Sequence, residues 1–157
     1  MGQFGVAPLA EQVQFPSSWP STSGPTVFAI CKALQRFWSG GSKGATYTLG
    51  PRIEGRVREL ILNTNRGMFK LQRTHSPGQF PGLGAMLNIL PEEFNVAEAG
   101  MRFLKVVLVE AAGFNLRNQL AHGTATFNDP GTAAVATHTA LSLATLKPYE
   151  TGSDPAE

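Results

Sequence analysis

One cysteine, Cys31, stands in a chain of 157 residues. A lone thiol closes no internal disulfide and builds no multi-cysteine zinc site, so a disulfide scaffold is excluded and a reducing compartment is expected. Long apolar runs are missing as well. The best candidate, around 101–112, is broken by Arg102, Lys105 and Glu110, which argues against a membrane span and against a membrane partner. No basic segment followed by an apolar stretch opens the chain, so a secretory signal is not expected and the reading is cytoplasmic. His75 and His138 lack ligand-spaced partners, so neither a metal nor another cofactor is expected. Strand signals are weak throughout, and no internal repeat competes with the helical pattern.

What is present is an ordinary apolar content of 42% in a length that suits one domain with a real core. Residues 1–25, with Pro8, Pro16, Pro20 and Pro25, have no sustained period and are expected to form a disordered arm or linker. A helical domain is expected over 26–147, with a disordered tail over 148–157. Val27, Ile30, Leu34 and Phe37 predict a first helix over Thr26–Trp38, ended by the Ser39–Gly44 break. Pro51 suits a helix start, and Ile53, Val57, Leu60 and Ile61 predict a helix to Asn65 with Arg52, Arg56 and Glu59 turned away from the core. A short helix over 83–90 precedes a long central one over Pro91–Ala112. Phe114–Ala121 follows, capped by Gly123, and an Ala-rich helix over Thr132–Leu146 comes last. The expected fold is an all-α bundle of four to five helices.

Charge is unevenly spread. Between Arg36 and Arg73 eight basic residues face two acidic ones, a local charge of +6, and the balance reverses from Thr74 onward. Such a segment fits a polyanionic partner through Arg52, Arg56 and Arg58, or equally a solvated helix face. Phe37, Trp38, Tyr47 and Phe69 flank or lie within it and could stack on bases, although a core placement is favoured for most of them. Gly40-Gly41-Ser42-Lys43-Gly44 lacks the order of a phosphate loop and is expected to be a connector.

The chemistry concentrates in Leu116-Arg117-Asn118-Gln119-Leu120-Ala121-His122-Gly123. A fixed positive charge, a positioning amide and a proton-exchanging imidazole suffice to cleave a phosphodiester without metal. On one regular helix Arg117 and His122 lie about 140° apart, whereas Asn118 and His122 share a face. Arginine's reach, or a second copy of the helix across a two-fold axis, would make the groups converge. Alternatively Arg117 pairs with a carboxylate such as Glu54 or Glu110, Asn118 caps local backbone and His122 closes the helix.

The segment resembles the HEPN superfamily, whose signature is an arginine, often a polar residue, a short spacer and a histidine. Arg117, Asn118 and His122 fit it, and the whole string looks like that of one uncharacterised HEPN-type family. Pro51-Arg52-Ile53-Glu54 and Arg58 look like that family's upstream helix. The resemblance covers roughly Pro51 to Leu146, with its specific part confined to the motif. It implies a usually dimeric helical bundle and a metal-independent endoribonuclease of toxin or antiviral defence systems, with RNA or a nucleotide as ligand and an antitoxin or defence partner. Arg117, Asn118 and His122 would be catalytic, with Glu54 supporting Arg117. Other superfamily members bind nucleotides or scaffold, so a non-catalytic helical nucleotide- or protein-binding module is the alternative. Members of the similar family are often longer, which implies a short or truncated one here.

Overall fold

A computed structural model of the chain describes residues 19, 22–64, 81–124 and 129–149. Among these residues the fold is all-α, with six helices: α1 Gly24–Trp38, α2 Ser42–Leu62, α3 Leu83–Glu93, α4 Glu98–Leu108, α5 Leu116–Ala121 and α6 Pro130–Ala144. The helix α2 is the hub, with α1, α3, α5 and α6 all packed on it, while α4 bridges α3 and α5.

The helix α2 is longer than expected. It runs from Ser42 through Pro51 instead of starting there. Its buried positions explain this: Ser42, Ala45, Thr46, Leu49, Ile53, Arg56, Val57, Leu60 and Ile61 keep one continuous three- and four-residue stripe across the proline. Pro51 sits on the exposed side, so its ring meets no neighbour helix. The same stripe overturns the placement of Arg56. It lies one turn from Ile53 and from Leu60, and it is buried, not turned to solvent.

The long helix expected over Pro91–Ala112 is shorter: residues 91–93 finish α3, and α4 begins only at Glu98 and ends at Leu108. Phe94 takes an extended conformation and forms an isolated antiparallel bridge with Pro148. The Asn95 N–H donates to Lys147 and the Tyr149 N–H to Glu93. The returning chain thus captures the backbone groups that a continuous helix would have used. Pro91 falls in the last turn of α3 rather than opening a new helix. Pro148 and Tyr149, assigned to the tail, belong to this junction. At the other end, Trp19 is buried in the core and Gly24 and Pro25 open α1, so these residues depart from the expected arm. Residues 1–18, 20 and 21, the residues from Glu150 on, and Arg66, Phe69, Lys70, Arg73 and His75 lie outside the described residues, while Ser23 caps α1.

The core is aliphatic where helices are spaced normally and small where they are close. The α6 face carries Ala133, Ala136, Ala140 and Ala144 with Leu143, which lets its backbone approach its neighbours. Two buried threonines in the core, Thr46 and Thr139, return their hydroxyls to the carbonyls of Ser42 and Val135. Cys31 is buried, and burial pushes its thiol pKa up, as expected of a core residue.

The start of α6 gives a pH-dependent expectation. Asp129 accepts from the Thr132 N–H at 2.8 Å and from the Thr132 hydroxyl at 2.8 Å. These bonds favour the carboxylate and hold Asp129 below its ordinary range. A depressed folded-state value contributes stability that is present above the unfolded value, about 3.9, and lost as pH falls through the folded one. Melting temperature followed down through that window should fall less in Asp129→Ala than in the wild type. Parallel curves would show that the cap is not titrating.

Candidate functional site

The expected motif folds as a short helix laid across α2. After α4 the chain turns sharply, with Gly113 so close to the Val106 carbonyl that a Cβ there would lie 2.2 Å from its oxygen. Asn115 then takes a left-handed conformation at φ 46°, which asparagine tolerates better than most residues. Its side chain is thereby turned to accept from the Asn118 amide at 2.8 Å. At the far end, Gly123 has φ 68°, its N–H reaches the Leu120 carbonyl, and the Thr124 N–H reaches Gln119. This is a Schellman closure, with His122 as the C-cap.

Two contacts fix α5 on α2. Leu120 lies over Gly50, where an added Cβ would sit 2.2 Å from Leu120 Cδ1. Arg117 Nε donates to Glu54 Oε2 at 3.0 Å. Because 120 meets 50 and 117 meets 54, the two helices run antiparallel. Gly50→Ala should gain about 1 kcal/mol of helix propensity, offset by the displaced leucine, so overall stability should change little. The Arg117 Nε–H resonance should nevertheless move as α5 shifts; an unchanged resonance would mean that Leu120 simply rotates away.

Glu54 is central to the site. Its second oxygen accepts from Arg58 Nη2 at 3.2 Å, so one carboxylate serves two guanidinium groups. Arg117 Nη1 also donates to Asn118 Oδ1 at 3.1 Å. The chain of contacts runs Asn115, Asn118, Arg117, Glu54, Arg58. With Arg117's side chain 36% exposed, such an ion pair is worth at most about 1 kcal/mol. Its consequence is orientation: Nε and Nη1 are engaged, and Nη2 has no hydrogen-bond partner among the described residues. The trio of Arg58, Arg117 and Glu54 retains one net positive charge.

Of the sequence candidates, Arg117, Asn118 and Glu54 are thus brought into direct contact, and Arg58 joins them. His122 is exposed at the end of α5, one turn beyond Asn118, its N–H on the Asn118 carbonyl. Glu110, the other carboxylate considered for Arg117, is exposed and makes no ion pair with it. Arg52 is exposed but lies about 160° around α2 from Glu54, away from the site. Arg56 is corrected: it is 1% exposed, donates through Nε to the Leu143 carbonyl and pairs with Glu59, so it is not a surface contact for nucleic acid. Sequence reasoning missed Asn115, whose role follows from a backbone conformation, and Gly50, whose place opposite Leu120 is tertiary. The Glu54–Arg58 pair was legible as an i,i+4 spacing.

Among the described residues no three His, Cys, Asp or Glu side chains gather, and no helix is long and apolar enough to cross a membrane. Comparison with protein-family models, with curated proteins and with solved structures gives no match for this chain.

Proposed function

We propose that the α5–α2 face is the site of a metal-independent endoribonuclease of HEPN type. The observation that carries this reading is the oriented guanidinium of Arg117, held by Glu54 and Asn118 with Nη2 left to meet an anion, on the same short helix as the exposed His122. In the reaction, the ribose 2′-oxygen attacks the adjacent phosphorus as its proton is taken up, and the bond from phosphorus to the 5′-oxygen breaks. His122 exchanges the proton with the nucleophile or the leaving oxygen. Arg117 stabilises charge on the non-bridging oxygens. Asn118 keeps the guanidinium in place and positions the scissile group. The products are a 2′,3′-cyclic phosphate and a 5′-hydroxyl. In this reading the chain is a cytoplasmic homodimer, a second α5 completing the cleft, and it serves toxin or antiviral defence with an antitoxin or defence partner. The test is incubation of purified protein with end-labelled single-stranded RNA in excess chelator. Fragments ending in a cyclic phosphate are expected; intact RNA would refute the reading.

A second reading is a non-catalytic helical module that binds a nucleotide or a protein. It is favoured by the completeness of the Asn115–Asn118–Arg117–Glu54 contacts, which would also serve to hold α5 on the bundle. It expects ligand binding without turnover and tolerance of His122→Ala.

A further inference from the structure

The helix α2 carries more than Glu54 on the face that α5 covers. Lys43, Tyr47, Gly50, Glu54 and Arg58 recur at three- and four-residue steps, within an arc of about 80°. Gly50 and Glu54 lie under α5, so Tyr47 and Lys43 continue the same stripe toward the α1–α2 turn, about 5 and 10 Å further along the axis. Since α5 runs antiparallel to α2, its His122 end is the one directed toward that turn.

That end is aromatic and cationic. Tyr47 is 39% exposed and Trp38 65%, the most exposed large apolar residue among those described. Lys43 Nζ stands over the Tyr47 ring, 6.0 Å from its centroid, and Trp38 packs edge-on against Phe37. Arg36 lies along Gly44 and donates to the Thr48 hydroxyl, leaving its guanidinium at the surface of the same hairpin. The core placement favoured for most of these aromatic residues does not hold for Trp38 and Tyr47: α1 ends at Trp38 and α2 turns Tyr47 outward. The charge is of one sign. Between Glu11 and Glu54 the sequence has no acidic residue, while Lys32, Arg36, Lys43 and Arg52 fall inside that interval. Flat, exposed rings interleaved with cations suit unpaired bases on a phosphate backbone, because every base presents a π-face.

We propose that Trp38, Tyr47, Lys43 and Arg36 form a docking platform for single-stranded RNA, stacking the bases that flank the bond presented to Arg117 and His122. The inference rests on the ribonuclease reading for the position of that bond, and on the hairpin alone for the platform. Trp38 and Tyr47 hold bases; Lys43 and Arg36 hold phosphates.

The experiment separates the two. The full chain is titrated with a 2′-O-methylated adenylate of about ten nucleotides, which lacks the attacking hydroxyl and stays intact. Trp38→Ala and Tyr47→Ala are each expected to weaken binding about tenfold, while Trp38→Phe and Tyr47→Phe, which keep a ring, stay near wild type. Lys43→Gln should lower the slope of log affinity against log salt by about 0.7. Only two tryptophans are present, and Trp19 is buried, so quenching of tryptophan emission on binding should come from Trp38 and vanish in Trp38→Phe. Alanine variants that bind as tightly as wild type overturn the platform even if unmodified RNA is cleaved. Tenfold losses without cleavage of unmodified RNA uphold the platform and remove the chemistry assigned to α5. No binding by wild type removes the platform and leaves the chemistry to be decided by cleavage of unmodified RNA.

Discussion

Alanine at His122 is expected to slow chelator-resistant RNA cleavage by about a hundred- to ten-thousand-fold, the range for loss of a general acid–base group. The side chain is exposed and caps a helix through its backbone, so the substitution should leave the melting temperature near wild type. That combination separates chemistry from folding. Arg117→Ala should cost about a hundred- to a thousandfold, as for other groups that stabilise transition-state charge. Arg117→Lys should not restore the rate, because a single ammonium lacks the fork that engages Glu54 and Asn118 while leaving a further N–H edge. Glu54→Gln, which keeps the shape and removes the charge, should fall between them by loosening the orientation of Arg117. Rates measured at saturating RNA with equal cleavage by wild type and His122→Ala would take His122 out of the mechanism and leave the binding module as the better account.

How much of this was legible in the chain differs by feature. The all-α class followed from three- and four-residue apolar spacing, and the Schellman closure at Gly123 from glycine after a helical run. Glu54 and Glu110 are the two carboxylates the sequence offers Arg117, with solvent exposure the favoured reading of Glu54; the structure instead pairs Glu54 with Arg117. Choosing Glu54 over Glu110 needed the tertiary crossing of α5 on α2, which no local pattern contains. Helix breaks were misplaced for the same reason. Pro51 and Pro91 are strong local signals, yet α2 runs through the first and α3 includes the second. In each case packing outweighed the local preference: a buried stripe across Pro51, and the returning segment 147–149, whose bridge to Phe94 ends α3 only after Pro91. Arg56 was a misreading of a signal that was present, since a residue three after Ile53 and four before Leu60 lies on the buried stripe whatever its charge.

That buried arginine carries the largest expected effect on stability. Arg56 reaches the Leu143 carbonyl at the end of α6, and its Nη1 lies 3.6 Å from Glu59 Oε2. The other Glu59 oxygen accepts from the Ser23 hydroxyl at 2.6 Å and the Thr26 hydroxyl at 2.8 Å, at the start of α1. One pair on α2 therefore joins the first turn of α1 to the last turn of α6. Burial lowers the Arg56 pKa and Glu59 opposes the shift, so the carboxylate helps to hold the charge there. Glu59→Ala should cost about 3 kcal/mol, the lower end for breaking a buried pair from one side, and lower the melting temperature by roughly 10 °C. Arg56→Met removes the charge together with its need for a partner and fills similar volume, so it should cost less, about 1–2 kcal/mol for the lost bond to Leu143. The order is the test. Deleting the half-buried partner should hurt more than neutralising the buried one, and the reverse order in denaturant titrations would mean that Arg56 contributes packing and hydrogen bonds with its charge already compensated elsewhere.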